Sequence, residues 1–482
     1  MDAKDFIEFG KASLEFIVNY NDTIRNRNVL PSVQPGFLKE KLPAEAPEVG
    51  ETWQEVLKDV KEIIVPGITH WNSPNFHAYF PCGTSYPAII GELMCAGLST
   101  LSFSWMSSPA VSELEDLTMN WLGRAIGLPE QFLSDTGKGG RGMLESSASE
   151  TTMICLLAAK TRTLRRIKTE SPHLDHENLE SKLVAYTSEE ANSSVEKAGV
   201  LGSMKMKLLP AQDDGSLNYL ILINEILKDI EIGLIPCYMV ANIGTTGTCA
   251  FDNLTEIGHV CRAFDIWLHV DAAYAGGAFV CPEYRYLMNG VGYVDSFNFN
   301  PHKWLLTNYD CSALWVQHSH DLIETFQHES FDLTHAKENE KYEYKNWQIA
   351  QGRRFRALKL WFVMRMYGVE GLQDHIQEAI ALAKKFEDYV NGDERFEIVT
   401  PRSLGLICFR MKGEDALTQD LLKRLMRRKI IYVISATHRG RLMIRFAVCT
   451  ANTTEADIEF AWKEITEQSD MVLQCSCHQP SR

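Results

Sequence analysis

The chain has 482 residues, of which 45% are hydrophobic and 23% are charged, a composition typical of a globular protein with a large core. Its formal net charge of −15 and its pI near 5.5 argue against nucleic acid or an anionic membrane as a partner. No apolar run approaches the roughly 18 residues of a membrane span, and the first residues lack an apolar signal core, so we expect a cytoplasmic protein. The twelve cysteines show no zinc-finger spacing, so we expect free thiols and no metal site.

A helix with an apolar face is predicted near the N-terminus, over residues 5–26. Apolar side chains recur there near helical spacing, at Phe6, Phe9, Phe16, Ile17, Tyr20 and Ile24. The segment that follows, to about residue 85, is rich in proline and tryptophan. Taken alone, that segment is compatible with a coil that wraps its own chain.

Predicted strands and helices alternate from about residue 86 to residue 360. The predicted strands are Lys182–Ser188, Met204–Leu209, Leu234–Ile243, Ile266–Val270, Ser296–Phe299 and Ala313–Gln317. Such alternation indicates an α/β fold with a mostly parallel, doubly wound sheet.

A smaller α+β domain is predicted beyond residue 360. Its helices are predicted at 360–368, 372–389, 417–428 and 454–467, and its strands at Leu404–Met411, Ile430–Ile434 and Leu442–Val448. The tail after Asp470 is expected to be frayed. We therefore expect three parts, at residues 1–85, 86–360 and 361–482.

A glycine-rich loop, Gly137–Gly142, precedes a predicted helix start. Ser147 and Glu150 have the spacing of a capping box, and a helical run follows at Thr151–Lys160. The free amides and the positive dipole end of such a helix suit an anionic group such as phosphate. A cap without any ligand is the commoner role of such a sequence.

Two predicted strands in the stretch from Ile266 to Trp304 end in residues that carry chemistry. The first strand runs directly into Asp271, and the second is followed by Asn300-Pro301-His302-Lys303. In open α/β sheets ligands lie beyond the carboxyl ends of the strands, so Asp271 and Lys303 are expected to converge on one crevice. An acid that faces a ring nitrogen and a lysine that forms a Schiff base are the two groups that pyridoxal phosphate requires from its protein.

Each of these two residues also has an ordinary explanation. An aspartate after a strand is usually a cap or turn residue, and an isolated lysine is usually a solvated surface charge. Lys303, however, lies among Phe299, Pro301 and Trp304. That apolar setting favours a neutral amine or imine over a surface ammonium.

The motifs HVDAAYAG and NFNPHKW closely resemble the group II pyridoxal-phosphate-dependent amino acid decarboxylases, in the aromatic L-amino acid decarboxylase branch. The resemblance extends over nearly the whole chain, through VQPGFL from residue 33, PGITHWNSPNFHAYFP at 66–81, SASE at 147–150, SSVEKAG at 193–199 and GRRFRALKLWF at 352–362. It implies a fold-type I enzyme similar to aspartate aminotransferase, with a seven-stranded sheet in the large domain. It also implies a homodimer with its active site at the subunit interface, in which residues 1–85 pack on the partner subunit.

The resemblance implies roles for individual residues of a cofactor site. Lys303 would carry pyridoxal 5′-phosphate as a Schiff base, and Asp271 would keep the pyridine nitrogen protonated so that the ring withdraws electrons. The other implied contacts are Ala148 and Ser149 at the phosphate with Ser296 and Asn300 nearby, Thr246 at the phenolic oxygen, and Ala273.

The resemblance also implies a substrate site lined by Tyr79, Phe80, Cys82 and Phe103, partly across the dimer. Cys82 stands where the decarboxylase pattern has a threonine that touches the ring hydroxyls. Gly352 matches the members that act on aromatic substrates, whereas histidine decarboxylases carry serine there. Since a glycine leaves room for a catechol or phenol ring, an aromatic L-amino acid is expected as substrate, with L-dopa the best candidate.

Two positions depart from the decarboxylase pattern. Asn192 stands where the family has a histidine that stacks on the cofactor, and an amide does not titrate as an imidazole does. In the segment after residue 326, an ungapped match puts Asp332, beside Phe331, where the family has a proton-donating tyrosine. Tyr342 and Tyr344 remain as substitutes for that tyrosine.

These departures bear on the reaction, because a decarboxylase needs a proton delivered to the α-carbon. Asn192 in this context resembles the insect 3,4-dihydroxyphenylacetaldehyde synthases, which consume dioxygen and release aldehyde, carbon dioxide, ammonia and hydrogen peroxide. With this reading Asn192 joins Lys303 and Asp271 as a catalytic residue. The alternatives are a plain decarboxylase that forms the amine and a catalytically silent dimer partner, against which the intact Lys303 and Asp271 argue.

Overall fold

The computed structural model describes residues 1–172, 178–327 and 342–476. These residues divide into two units. The first unit comprises residues 1–81, 382–399 and 407–482, and the second comprises residues 82–381 and 400–406. Among the helices of these described ranges, none is both long and apolar enough to cross a membrane.

A seven-stranded sheet forms the centre of the second unit. Its strands are β1 (Arg141–Glu145), β2 (Leu183–Ser188), β3 (Lys205–Leu209), β4 (Ile235–Asn242), β5 (Trp267–Asp271), β6 (Ser296–Phe299) and β7 (Ser312–Val316). They lie in the order β1-β7-β6-β5-β4-β2-β3. Neighbours from β3 to β6 pair in parallel, and β7 is antiparallel to both β6 and β1. The predicted mostly parallel seven-stranded sheet is confirmed.

All six strands predicted for this sheet are present, each within one residue of its predicted ends. Their sequences are nearly continuous apolar runs because helices cover both faces of a parallel sheet, and β2 and β5 are buried along their whole length. The strand that the prediction missed is β1. Its glycine and its charged ends resemble a loop, and its strand conformation depends on pairing with β7.

The helices of the second unit precede, separate or follow these strands in the chain. They are α3 (Tyr86–Leu98), α4 (Pro109–Ala125), α5 (Ala148–Glu170), α6 (Ser193–Leu201), α7 (Tyr219–Glu231), α8 (Leu254–Ala263), α9 (Pro301–Trp304), α10 (Ser319–Phe326) and the first part of α11 (Arg356–Asn391). Two helices were predicted within α11, and its helical geometry is interrupted where the first of them was expected to end. The kink lies at Gly368, whose φ of 67° is outside the helical region.

The first unit contains α1 (Ala3–Asp22), α2 (Trp53–Asp59), α12 (Asp415–Arg428), α13 (Glu455–Ser476) and most of a second sheet. That sheet contains β8 (Phe396–Ser403), β9 (Leu406–Met411), β10 (Ile434–His438) and β11 (Arg441–Ala447), in the order β10-β11-β9-β8. The predicted smaller α+β region is therefore present.

One strand of this part of the chain, β8, was not predicted, and two predictions were wrong. The strand predicted at Ile430–Ile434 begins only at its last residue, because β10 pairs with β11 through residues 434–438. The described part of the tail after Asp470 is not frayed, since α13 continues to Ser476 and Val472 is buried.

Several apolar side chains of the N-terminal helix α1 are exposed to solvent in the single chain. None of the residues in Ala3–Asp22, all of them described, is buried, and Phe6 is 62% exposed. Exposed apolar surface of this kind is typical of an interaction site. The assignment of residues 1–85 to the partner subunit stays a prediction.

Candidate active site

Asp271 is the last residue of β5 and lies at the carboxyl edge of the large sheet. The strand before it is fully buried, and Asp271 itself is only 8% exposed. The Ala273 backbone N–H donates to Asp271 Oδ1 over 2.9 Å, which orients the carboxyl group. Burial raises the pKa of Asp271, and the charge of Lys303 partly opposes that rise. A cationic ring nitrogen would supply the counter-charge that this buried acid requires.

Lys303 lies on the short helix α9, directly after β6. Pro301 begins that helix, and Asn300 joins it to the turn after β5 because its backbone N–H donates to the Ala273 carbonyl over 3.0 Å. The Lys303 N–H donates to the Asn300 carbonyl over 2.9 Å. The two strand ends are therefore tied together, and the structure brings Asp271 and Lys303 to one edge, as predicted.

The first turn of α5 lies at the end of β1. Ser147 caps the helix, with its Oγ accepting from the Glu150 N–H over 3.3 Å. Glu150 completes no capping box, because its carboxylate accepts from the Ser146 N–H over 3.2 Å instead. Ala148 and Ser149 begin the helix, where backbone amides have no helical acceptor and favour an anion.

Asn300 and Ser296 occupy opposite ends of β6. Asn300 Oδ1 accepts from the Ser312 hydroxyl over 2.7 Å at the carboxyl edge. Ser296 begins the strand, and its Oγ bonds Trp267 Nε1 and His269 Nδ1, each over 2.8 Å. The structure does not bring Ser296 to the crevice, because three residues of extended strand separate it from Asn300. The predicted contact of Ser296 with the cofactor has no support.

Asn192 and Thr246 are brought together although 54 positions separate them in the chain. Asn192 caps α6, and its Oδ1 accepts from the Ser194 N–H over 3.0 Å. Its Nδ2 donates to Thr246 Oγ1, also over 3.0 Å. Thr246 lies in the turn after β4, so both side chains lie at the carboxyl edge of the sheet.

A known family model covers most of the chain. The pyridoxal-dependent decarboxylase conserved domain matches residues 35–412. The chain belongs to the pyridoxal-dependent decarboxylase family. It is 46% identical over 475 residues to an aromatic-L-amino-acid decarboxylase of Mus musculus, covering 98% of this chain and 99% of the relative.

Two further similarities bear on activity and fold. The chain is 46% identical over 470 residues to a 3,4-dihydroxyphenylacetaldehyde synthase of Drosophila melanogaster, covering 97% of this chain and 92% of the relative. The crystal structure of Oryza sativa TDC with PLP and tryptamine matches with a TM-score of 0.94 at 36% identity, covering 98% of this chain and 99% of that one. The predicted decarboxylase family and its fold are confirmed.

The crevice of this decarboxylase-family chain fits pyridoxal phosphate. Asp271 would face the pyridine nitrogen, Lys303 would hold the aldehyde carbon, and the start of α5 with Asn300 would hold the phosphate. When bound, pyridoxal phosphate supplies a ring that accepts the electron pair released at the substrate α-carbon. The observation that suits this cofactor best is the buried carboxyl group of Asp271, which has no cationic side chain beside it on β5.

Three predicted substrate residues belong to the second unit. Cys82 lies close to Lys303: burial raises the pKa of the thiol, and the Lys303 charge opposes that rise. Next to it, the Gly83 N–H donates to the His302 carbonyl over 2.7 Å. Phe103 is partly exposed, with Lys345 Nζ 6.0 Å from its ring centre.

Gly352 lies against Leu101. A Cβ at position 352 would be 3.3 Å from Leu101 Cδ1, so that leucine would have to shift by a few tenths of an ångström. The neighbouring Ser102 and Arg353 form a β-bridge, which holds the two segments together.

Tyr79 and Phe80 belong to the first unit. Tyr79 has a φ of 55°, is 43% exposed and shares a hydrogen bond of 2.9 Å with the Tyr432 hydroxyl. Phe80 is 7% exposed, and the Arg445 guanidinium lies 4.9 Å from its ring centre. Of these two aromatic side chains, Tyr79 is the accessible one.

Asp332, which with its neighbour Phe331 was predicted at the position of the missing tyrosine, lies outside the described residues. Tyr344 is fully buried, and its hydroxyl donates to the Ser112 carbonyl over 3.3 Å. The Arg353 guanidinium lies 4.4 Å from its ring centre. Because these contacts hold Tyr344 in the hydrophobic core, the structure does not support it as the substitute for the missing tyrosine.

Two buried acids near this edge were not predicted. Asp252 accepts from the Leu217 and Asn242 N–H groups, each over 2.7 Å, and burial raises its pKa to about 6. It thereby fixes the turn that carries Thr246. The second acid is Glu145, the last residue of β1. The only feature of the sequence that could have indicated either residue is an acid at the end of a short apolar run.

Proposed function

We propose that this chain converts an aromatic L-amino acid, with L-dopa as the best candidate, to the arylacetaldehyde. One amino acid, one dioxygen and one water give one aldehyde, one carbon dioxide, one ammonia and one hydrogen peroxide. For L-dopa the aldehyde is 3,4-dihydroxyphenylacetaldehyde. The observation that carries the proposal is Asn192, with both ends of its amide held by neighbouring groups.

The Asn192 side chain has no proton to deliver at neutral pH. Its oxygen accepts from the Ser194 N–H, and its nitrogen donates to Thr246. A positioned acid typically speeds proton transfer by roughly 10²- to 10⁴-fold, and an amide does not supply that effect. A slow return of a proton to the α-carbon leaves time for dioxygen to take the electrons instead.

The remaining residues of the crevice bind and orient. Asp271 would hold a proton on the ring nitrogen, Lys303 would hold the cofactor and release it to the substrate amine, and Ala273 holds the Asp271 carboxylate in place. Tyr79, Phe80, Cys82, Phe103 and Gly352 would line the substrate site. Gly352 supports an aromatic substrate, because a glycine leaves room for a catechol or phenol ring.

A plain decarboxylase that forms the amine is the second candidate. It is favoured by the 46% identity to the Mus musculus decarboxylase, which equals the identity to the Drosophila melanogaster synthase. Overall similarity therefore does not separate the two reactions, and the discrimination rests on Asn192. A catalytically silent partner is disfavoured by the intact Asp271 and Lys303.

We further propose a cytoplasmic homodimer whose active site is completed at the subunit interface. Exposed apolar side chains support a partner surface. They are Phe6 and Ile7 on α1, Leu98 at the end of α3, and Leu101 and Met106 after α3. Residues 1–85 would pack on the partner subunit, residues 86–360 would bind the cofactor, and residues 361–482 would form the small domain.

The deciding experiment is product analysis on L-dopa with simultaneous measurement of dioxygen, peroxide, carbon dioxide, aldehyde and amine. We expect aldehyde and peroxide to form in step with carbon dioxide. Mainly amine without dioxygen uptake would establish the plain decarboxylase. The absorbance of bound cofactor in the purified protein separates both enzymes from a silent homologue.

A further inference from the structure

Glu145 is a buried acid at the same sheet edge as the proposed cofactor. It is the last residue of β1, only 2% exposed, and its Oε1 has no hydrogen-bond partner within the described part of the chain. β1 and β6 run parallel because each is antiparallel to β7. The carboxyl end of β1 therefore meets the edge where β6 leads into Asn300.

A row of polar side chains connects Glu145 to this edge. Glu145 is the cross-strand neighbour of Ser312 on β7. The Ser312 hydroxyl donates to Asn300 Oδ1 over 2.7 Å and accepts from Asn298 Nδ2 over 2.9 Å. Since direct partners in a sheet lie on the same face, Glu145, Ser312 and Asn300 form one row beneath the start of α5.

The two arginines near Glu145 each pair with another carboxylate. Arg353 forms a bidentate pair with Glu115, over 2.6 and 2.9 Å, and Arg356 pairs with Asp310 over 2.9 Å. Both guanidinium groups are thus already matched. From α5, Glu150 faces Glu145 with a charge of the same sign.

The ionisation of Glu145 follows from this setting. Burial raises its pKa to about 8; Glu150 and Glu115 add to the rise, and Arg353 and Arg356 oppose it. The other titratable group facing it is the buried Cys155 thiol on α5, whose own pKa is raised mainly by burial. Near neutral pH Glu145 is therefore mostly an uncharged acid and a hydrogen-bond donor.

We propose that Glu145 is a positioning residue for the anionic end of the cofactor, supporting it as a neutral acid and weakening its binding when ionised. The proposal rests on the phosphate lying at the start of α5. Like charges on Glu145 and the phosphate would repel each other, and the expected effect is a loss of affinity of roughly tenfold. The acid form is present below the pKa, so cofactor binding weakens as the pH rises through about 8.

The test compares the cofactor dissociation constant of the full-length holoenzyme with that of Glu145→Gln, at pH 7 and at pH 9.5. Glutamine keeps the size and a donor but does not ionise. At pH 7 the two proteins should agree within about threefold. Between the two pH values the wild-type constant should rise roughly tenfold more than that of Glu145→Gln, because other titrating groups are common to both.

Glu130→Gln, at an exposed glutamate, is the matched control and should follow the wild type. Parallel pH profiles for wild type and Glu145→Gln would overturn the proposal, as would a loss of more than tenfold for Glu145→Gln at pH 7. If Glu145→Gln does not fold, Glu145→Met is used in its place. The cofactor dissociation constant of Glu145→Met should change little with pH, and a change with pH as large as that of the wild type would contradict the proposal.

A third variant separates this proposal from the placement of the phosphate. Ser149→Ala should weaken cofactor retention by a similar factor at both pH values. If Ser149→Ala leaves retention unchanged, the phosphate does not lie at the start of α5. If it weakens retention while wild type and Glu145→Gln keep parallel profiles, only the role of Glu145 is wrong.

Discussion

Asn192→His tests the proposed reaction most directly. The asparagine side chain makes two hydrogen bonds that an imidazole does not reproduce together, to the Ser194 N–H and to Thr246 Oγ1. Loss of the helix cap costs about 1 kcal/mol, and loss of the second bond costs about 0.5–1.5 kcal/mol. We expect the variant to fold with a free energy of unfolding lower by roughly 2 kcal/mol.

The same substitution should move the products from aldehyde towards amine. An imidazole, with an unperturbed pKa of about 6.5, carries a proton near neutral pH that the amide lacks. The shift should be partial, because the tyrosine of the family pattern is still missing at position 332. Adding Asp332→Tyr should complete it, and the two changes should couple non-additively if they serve one proton transfer.

The assay is the ratio of amine to aldehyde, with peroxide counted per carbon dioxide released. Asn192→Ala is the matched control, because it loses both hydrogen bonds and gains no proton donor. It should be destabilised as much as Asn192→His and should still make aldehyde. If Asn192→Ala forms amine as readily as Asn192→His, the proton argument is wrong; if wild type makes mainly amine without dioxygen, Asn192 is a bystander.

Three further predictions concern the cofactor residues and the packing of α3. Lys303→Ala should abolish turnover and the covalent cofactor band, and cofactor trapped by borohydride on that variant would contradict the assignment. Asp271→Ala, with the fold intact, should lose more than tenfold in activity, because Asp271 would no longer hold a proton on the ring nitrogen. A smaller loss, which corresponds to a change of less than about 1.4 kcal/mol in the activation barrier, would show that the charge of Asp271 is not needed. Gly91→Ala should lower the free energy of unfolding by about 1–3 kcal/mol, because its Cβ would be 2.6 Å from Lys359 Cα. Gly97→Ala on the same helix, with nothing within 4 Å of its Cβ, should be neutral or slightly stabilising in denaturant unfolding, and equal effects would refute the packing argument.

The strands that carry Asp271 and Lys303 could be predicted from local sequence. β5 and β6 were located to within one residue, because a strand buried on both faces needs a continuous apolar run and the run stops where the strand stops. Since the carboxyl ends of neighbouring parallel strands lie at one edge, the meeting of Asp271 and Lys303 followed from the strand assignments.

Contacts between distant segments were decided only by the tertiary structure. β1 contains a glycine and charged ends, and it is a strand because β7 pairs with it. Ser296 was predicted beside the cofactor, but its hydroxyl is bound by Trp267 and His269 at the other end of β6.

The hydrogen bonds and ionisation of side chains at the candidate site were also decided only by the tertiary structure. The bond from Asn192 to Thr246 and the row that joins Glu145 to Asn300 link residues far apart in the chain. Whether such a side chain is charged, capped or buried depends on which neighbours the fold supplies, and a sequence pattern contains no record of them. Residue type and strand position were therefore readable from the chain, whereas hydrogen-bond partners and protonation followed from packing.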